Sequence, residues 1–142
     1  MAVTGSFDPP RDHAGLAVLS YQECLRLAAS QPVGRVAFAD SGDIQVFPVN
    51  HCVVGDTIAF RTADGSKLGA AVQHAVVAFE VDGYDADRRT GWSVLIKGRV
   101  VPVDDLALLR KLDHSGVQPW NDRVPRPTWV AVRADTVTGR RL

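Results

Sequence analysis

The residues best equipped for chemistry lie in the segment 60–67, where cations and hydroxyl groups occur close together. Arg61 and Lys67 supply positive charge, and Thr62 and Ser66 supply hydroxyl donors. The segment runs from a β-like stretch through a glycine turn into the start of a predicted helix, whose first N–H groups have no partner within the helix. A phosphate monoester needs such a set of groups. The same pattern is equally typical of a charged hairpin end that binds nothing.

Other common signatures of phosphate binding and catalysis are missing from the sequence. It contains no Gly-rich dinucleotide fingerprint and no Walker-type loop, so a phosphate would need a different cradle. It also contains no Gly-x-Ser-x-Gly elbow and no His-x-x-x-His pair. Cys24 and Cys52 lack the spacing of metal ligands or of a redox pair. We therefore expect two buried free thiols and no metal site.

His51 is the one candidate for a catalytic proton donor. It follows Asn50 on a predicted strand, and imidazole titrates near neutral pH. The alternative is a surface or interface histidine with no part in catalysis.

Composition limits the classes of partner. The 142 residues carry 16 basic and 16 acidic side chains, so the formal net charge is zero. Broad capture of nucleic acid or of an anionic membrane needs a sustained basic surface, and neither partner is expected. No apolar run approaches the roughly 20 residues that a membrane-spanning helix requires. With free cysteines and a polar N-terminus, the sequence predicts a cytoplasmic protein.

Short apolar stretches separated by turn residues indicate an antiparallel meander. The predicted strands are 35–39, 44–54, 57–62, 75–81, 92–103, 128–133 and 137–142. The predicted helices are 20–29, 67–74 and 104–112. We therefore expect a mainly β protein, a barrel or sandwich with peripheral helices, forming one domain over residues 19–142.

Several finer features follow from the same patterns. Residues 1–18 read as an extended or poorly ordered arm, and 83–91 as a charged surface loop. The continuous apolar run 75–81 suggests a strand covered on both faces. Alternation from Trp92 to Val100 predicts one buried and one exposed face. In the third helix, the spacing of Leu106, Leu109 and Leu112 predicts a buried stripe. 

Taken together, three segments in this order resemble the pyridoxamine 5′-phosphate oxidase-like, flavin-binding split barrels. They are Gln45–Asn50, Phe60–Leu68 and Gly91–Val100. The resemblance extends over roughly residues 19–103, with a weaker echo to the C-terminus. It implies an antiparallel split β-barrel that binds flavin mononucleotide (FMN).

The resemblance also implies a set of site residues. The FMN phosphate would be held by Arg61, Thr62, Ser66 and Lys67. The edge of the isoalloxazine ring would lie along Pro48, Val49 and Asn50, with Trp92 and Ser93 also near the ring. The family forms homodimers with the cofactor between subunits. Residues reaching the site from the partner chain would include Trp120, Arg123, Arg140 and Arg141.

Three functions remain open at this point. The first is an FMN-dependent oxidoreductase that transfers hydride or electrons between flavin and a small organic substrate. The second is a reductase on the same fold that uses a deazaflavin, as some relatives do. The third is a non-catalytic protein that binds flavin or haem.

Overall fold

The computed structural model describes residues 8–63 and 65–142, without the side chain of Lys67. These residues form seven strands and three helices. The strands are β1 (Ala17–Val18), β2 (Val33–Asp40), β3 (Asp43–Val54), β4 (Thr57–Thr62), β5 (Val76–Asp85), β6 (Thr90–Pro102) and β7 (Thr128–Arg141). The helices are α1 (Tyr21–Ala29), α2 (Lys67–Val72) and α3 (Leu106–Asp113). None of these helices, in the part of the chain described, is long and apolar enough to cross a bilayer.

Antiparallel pairing closes the sheet into a barrel. The strands follow the order β1-β7-β4-β3-β2-β5-β6, and β6 also pairs with β7. That last pairing joins the two ends, so the six strands β2 to β7 form a closed ring and β1 is an addition to the edge of β7. The predicted fold class, a mainly β split barrel with peripheral helices, is confirmed.

Local turn chemistry explains how the strands begin and end. Ser41 and Gly42 both have positive φ, 51° and 81°, as a two-residue turn of type I′ between β2 and β3 requires. At the closure, pairing shifts register between Lys97 and Gly98, which leaves a bulge opposite in β7. A β-carbon at position 98 would lie 2.0 Å from the carbonyl oxygen of Arg133, so only glycine fits there.

Two apolar clusters stabilise the barrel. The inner core fills its interior with side chains of β2, β4, β5, β6 and β7 and one face of α1; Phe60 and Phe79 stack there with ring centroids 6.0 Å apart. The outer core lies beneath α3 on the outside of the barrel. Its buried members are Cys52, Ala59, Leu112, Trp129 and Ala131. Both thiols are free and buried, as predicted.

The structure corrects several finer predictions. β5 and β6 extend through most of the expected loop 83–91, because the hairpin they form turns only at residues 86–89. The last two predicted strands are one strand, β7, with the bulge between them. In α3, Leu106 is exposed while Leu108 and Leu109 are half-buried, so the buried side is rotated from the predicted stripe.

The described part of the N-terminal arm is docked on the barrel rather than disordered. The Asp12 carboxylate accepts hydrogen bonds from the N–H groups of Ala14 and Leu16 and, at 3.0 Å, from Arg140 Nε. β1 then pairs with the end of β7. Residues 1–7 of the predicted arm lie outside the described residues.

The outer surface of β2, β3 and β5 differs from the prediction for residues 75–81. β5 buries only one face, because its side chains alternate between the inner core and the outside. Val76 is 64% exposed and Val46 is 58% exposed. The apolar run therefore has no cover on its outer face within the described residues.

Candidate functional site

An opening in the barrel wall lies where β3 and β4 separate. Their pairing runs from Val54↔Thr57 to His51↔Phe60 and stops there. Beyond that point β3 continues alongside β2, whereas β4 continues alongside β7. The two strands therefore leave a cleft between them, with Pro48 and Asn50 on one wall and Arg61 on the other.

The edge of β3 that faces this cleft has no partner strand beyond His51 among the described residues. The N–H of His51 donates to Pro32 O, on the β2 side. Because successive N–H groups of a strand point in opposite directions, the N–H of Asn50 points into the cleft. Pro48 lies on the same edge, where a residue without an N–H is tolerated.

The cleft has a volume of about 470 Å³, which is the usual size of a small-ligand site. It gathers most of the residues that the sequence predicted to hold a cofactor. Those that line it are Pro48, Val49, Asn50, Arg61, Thr62 and Ser66. The predicted role of Lys67 falls on a side chain outside the described residues.

The guanidinium of Arg61 is fixed by two neighbours. Its Nη2 donates to Asp113 Oδ1 at 3.0 Å, and its Cζ lies 4.5 Å from the centroid of the Trp129 ring. Trp129 Nε1 donates to the same Asp113 oxygen at 2.8 Å, which fixes the carboxylate in turn. Arg61 Nε is buried and has no hydrogen-bond partner among the described residues. The wall of the cleft therefore contains an unsatisfied donor of a charged group.

The hydroxyl groups of Thr62 and Ser66 differ in how far they are already engaged. Ser66 caps α2: its Oγ accepts from Gly69 N at 2.8 Å and donates to Ala63 O at 2.8 Å. Among the described residues, the Thr62 hydroxyl has only a long contact of 3.5 Å, to Thr128 O. Thr62 therefore has the less engaged hydroxyl of the two, in a residue that is only 2% exposed.

A loop segment forms the third wall of the cleft. We call residues 117–127 the strap; its Pro119, Trp120, Asn121 and Arg126 line the cleft. Asn50 fixes it, since Asn50 Oδ1 accepts from Trp120 N at 2.8 Å while Asn50 Nδ2 donates to Pro32 O at 3.3 Å. The sequence predicted no site role for Arg126. The available signal was the 14-residue polar loop between α3 and β7, a length that often marks a binding loop.

The position of Trp120 on the strap differs from the one that the resemblance implied. The resemblance assigned Trp120 to the partner chain's site, but here it lines the cleft of its own chain. Its side chain is 74% exposed. Arg123 does not line the cleft, and Arg140 is occupied by Asp12 in the N-terminal arm.

His51 lies inside the barrel rather than on the surface, and it does not line the cleft. Its ring meets Phe79 edge-on, and its Nε2 donates to Ala28 O at 2.7 Å, so the proton of the neutral ring is on Nε2. Nδ1 is buried without a partner among the described residues. Burial lowers the pKa of His51, although the bond to Ala28 raises it in part. A buried neutral imidazole does not have the access that the predicted proton donor needs.

Trp92 and Ser93 are also placed away from the cleft. Both line a hollow near the end of the β5–β6 hairpin, together with Gly83, Tyr84 and Arg140. The indole of Trp92 lies so close to Gly83 that a β-carbon there would be 2.8 Å from Nε1. The structure of one chain therefore does not bring this pair together with the predicted phosphate residues. Nor do three His, Cys, Asp or Glu side chains of residues 8–63 and 65–142 group closely enough to hold a metal ion.

The chain is similar to a known protein family and to several known proteins. Residues 20–141 match the family described as pyridoxamine 5′-phosphate oxidase. An uncharacterised protein of Mycobacterium tuberculosis is 36% identical over 141 residues, which covers 94% of this chain and 90% of that protein.

Solved structures of similar proteins include two from Mycobacterium smegmatis. A FAD-binding protein is 35% identical, with a TM-score of 0.78, over 89% of this chain and 99% of that one. A FAD- and haem-binding protein is 18% identical, with a TM-score of 0.67, over 85% of this chain and 70% of that one. The second likeness shows the fold alone.

Proposed function

This chain belongs to the pyridoxamine 5′-phosphate oxidase family, and we propose that it is a flavin-dependent oxidoreductase that binds its cofactor in the cleft between β3 and β4. The observation that carries the proposal is the cleft itself, where a fixed guanidinium lies opposite the unpaired edge of β3 and its Nε has no partner among the described residues. The sequence predicted FMN. FMN and FAD share the isoalloxazine ring, the ribityl chain and the first phosphate, and the cleft is proposed for this shared part.

The phosphate would be held at the Arg61 end. The planar fork of the Arg61 guanidinium suits a phosphate. Asp113 and Trp129 already hold the guanidinium in place, so little side-chain entropy remains to be lost on binding. Thr62 and, where its side chain reaches, Lys67 would add donors. An unpaired buried donor costs stability, and a phosphate oxygen at Nε would remove that cost.

The ring would be held at the β3 end. The N–H of Asn50 and the carbonyl groups of this edge can bond to the polar rim of a flat heterocycle, and Phe47 and Val49 provide apolar surface. The flavin supplies the hydride chemistry when bound, whereas the protein supplies position and electrostatics. A donor N–H at the ring edge would stabilise negative charge that develops there. No catalytic acid or base is needed among the cleft residues for this role.

We also propose that a second copy of the chain completes the site. The uncovered outer surface of β2, β3 and β5 carries Ile44, Val46 and Val76, and it continues into the cleft at Pro48. An apolar sheet face of this kind is characteristic of an interface. Cover by a partner would also explain why Val76 and Ala78, on the outer side of this run, are apolar. The FAD-binding protein at 35% identity supports the choice of a flavin.

The test is titration of the apoprotein with FMN and with a deazaflavin, followed by fluorescence or calorimetry. We expect FMN to bind, and Arg61→Met to weaken binding by at least tenfold, since a charged hydrogen bond contributes about 1.5–3 kcal/mol. Arg110→Met, which changes an exposed arginine of α3 outside the cleft, is the matched control.

Three results would count against the proposal. Binding of deazaflavin alone would favour the deazaflavin reductase. A flavin that binds but exchanges electrons with no nicotinamide nucleotide or organic acceptor would favour a binding protein. Equal affinity of wild type and Arg61→Met, with melting temperatures that show both are folded, would remove the site assignment.

A further inference from the structure

The outer surface of β2, β3 and β5 continues onto β6 and has two charged ends. We call Glu80 and Asp82 its acidic end, and Lys97 and Arg99 its basic end. We propose that a second copy of the chain packs on this surface in the reverse orientation, so that the acidic end of each copy lies on the basic end of the other. This inference rests on the homodimer of the proposed function and adds the orientation of its two copies.

Strand register fixes the positions of these charged residues. Because side chains of a strand alternate, every second residue of β5 faces outward: Val76, Ala78, Glu80 and Asp82. Pairing of β5 with β6 places Arg99 beside Val76 and Lys97 beside Ala78. The two cations therefore lie toward the start of β5 and the two carboxylates toward its end.

The charges at the two ends are not balanced within the chain. Arg35 Nη1 lies 3.3 Å from Glu80 Oε2 and 3.4 Å from Asp82 Oδ1, so one cation faces two carboxylates. Burial and the charge of Asp82 raise the pKa of Glu80 despite Arg35. At the other end, Lys97 and Arg99 are exposed, and no carboxylate of the described residues forms an ion pair with either. Arg99 donates to a backbone carbonyl oxygen instead.

These charges choose between two symmetric ways of packing the surface on itself. A two-fold axis between two such faces can run along the strands or across them. An axis along the strands would place the acidic end of one copy on the acidic end of the other. An axis across the strands, between Ala78 and Glu80, brings Lys97 to the level of Glu80 and Arg99 to the level of Asp82 in the other copy. Complementary charge of this kind fixes the orientation of an interface.

The same axis also brings apolar residues together. Through the shared pairing with β2, Val46 lies in the row of Ala78, and Pro48 lies in the row of Glu80. In the reverse orientation, Val46 of each copy is therefore at the level of Pro48 of the other. Because Pro48 also lines the cleft, the interface would reach the edge of the proposed cofactor site.

Reversal of the charge at each end tests the orientation. The acid-reversed variant is Glu80→Lys with Asp82→Lys, and the base-reversed variant is Lys97→Glu with Arg99→Glu. We expect each variant alone to dimerise about tenfold or more weakly than the wild type, because like charges then face each other. An equimolar mixture of the two should form a heterodimer, in which both contacts again join opposite charges. Native mass spectrometry of the full-length proteins distinguishes the heterodimer from the homodimers by mass.

The control is Arg110→Glu with Lys111→Glu, a reversal on α3 outside this surface, which should dimerise as the wild type does. Melting temperatures show whether each variant is folded. If the wild type is a dimer and folded variants dimerise equally well, or remain monomers when mixed, this inference is wrong while the proposed homodimer stands. If the wild type is a monomer, both the homodimer and its orientation are wrong, whereas flavin binding in the cleft is tested separately by titration.

Discussion

Two buried polar atoms without a partner mark two different kinds of residue in this protein. Arg61 Nε and His51 Nδ1 are both buried without hydrogen bonds among the described residues. Arg61 borders the cleft, and we propose that a ligand there satisfies its donor. His51 lies in the inner core against Phe79, where no ligand is expected to reach. The same feature therefore supports a binding role for Arg61 and a structural role for His51.

The position of His51 leads to a prediction about pH. Burial lowers the pKa of His51 in the folded state below its ordinary value of 6.5, so the unfolded chain takes up the proton first. Above that pH the imidazole is neutral in both states, so its burial costs no stability. As the pH falls below it, proton uptake by the unfolded chain lowers the free energy of unfolding. We expect His51→Gln, which keeps a donor for Ala28 O, to lose less of its free energy of unfolding between pH 7.5 and pH 5.5 than the wild type does.

Urea unfolding at the two pH values measures this difference. His114→Gln is the control, because His114 is exposed at the end of α3 and its variant should follow the wild type. An unchanged pH dependence in His51→Gln would contradict the prediction, because it would show that the imidazole is protonated as readily in the folded state as in the unfolded state.

At the level of elements, the cleft exists because β3 and β4 pair with each other over only part of their length. β3 pairs with β2 along its first part and with β4 along its last, and β4 then turns to β7. The strap fills part of the gap, and it is tied to β3 through Asn50. The strength of this tie decides how open the cleft is.

We predict that Asn50→Ala releases the strap. The variant loses the bond to Trp120 N and the bond to Pro32 O, and no other described bond joins the strap to β3. Hydrogen exchange of residues 117–127 should become at least several-fold faster, while exchange in β6 stays unchanged. Slow exchange of the strap in this variant would contradict the anchoring role of Asn50.

The closure of the barrel between β6 and β7 leads to a second prediction at this scale. Gly98→Ala would place a β-carbon 2.0 Å from the carbonyl oxygen of Arg133, so the backbone must move at the bulge. Overpacking of this kind costs about 1–3 kcal/mol or more, and we expect a lower melting temperature. Lys97→Ala, at the exposed neighbouring position, should leave the melting temperature nearly unchanged; an equal effect of both variants would contradict the steric reason.

At the level of the whole molecule, an apolar surface of the barrel has no cover from the part of the chain that the structure describes. α3 covers the outside of β4 and β7, and α1 packs on the inner core. The outer face of β2, β3 and β5 has no such cover among the described residues, and Ile44 on it is 78% exposed. This asymmetry is the structural reason to propose a homodimer.

We predict that the wild type sediments as a dimer at micromolar concentration and that Val46→Lys shifts it toward the monomer. A charged side chain in the centre of an apolar interface is costly to bury. Leu106→Lys is the matched control, since Leu106 is also an exposed apolar residue but lies on α3. A monomeric wild type, or a Val46→Lys dimer as stable as the control, would be evidence against this interface.

The sequence by itself determined the elements, because their signals are local. Ser20 and Glu23 mark the start of α1, and Ser20 Oγ accepts from Glu23 N. β4 has the predicted limits, Thr57–Thr62. The alternation from Trp92 to Val100 shows which face of β6 is buried, since a strand has a period of two. The order of these elements, with the resemblance to a known family, also predicted the split barrel.

Only the tertiary structure decided which residues distant in sequence are neighbours in space. Arg61 meets Asp113 across 52 positions of sequence, and Trp120 meets Asn50 across 70, and no local pattern records such a contact. The sequence placed His51 at the site and Trp92 near it, whereas strand direction and pairing put the first inside the barrel and the second at another hollow. The physical reason is that hydrophobic period fixes which way a side chain faces within one element. Where two strands part is set by the register of the whole sheet.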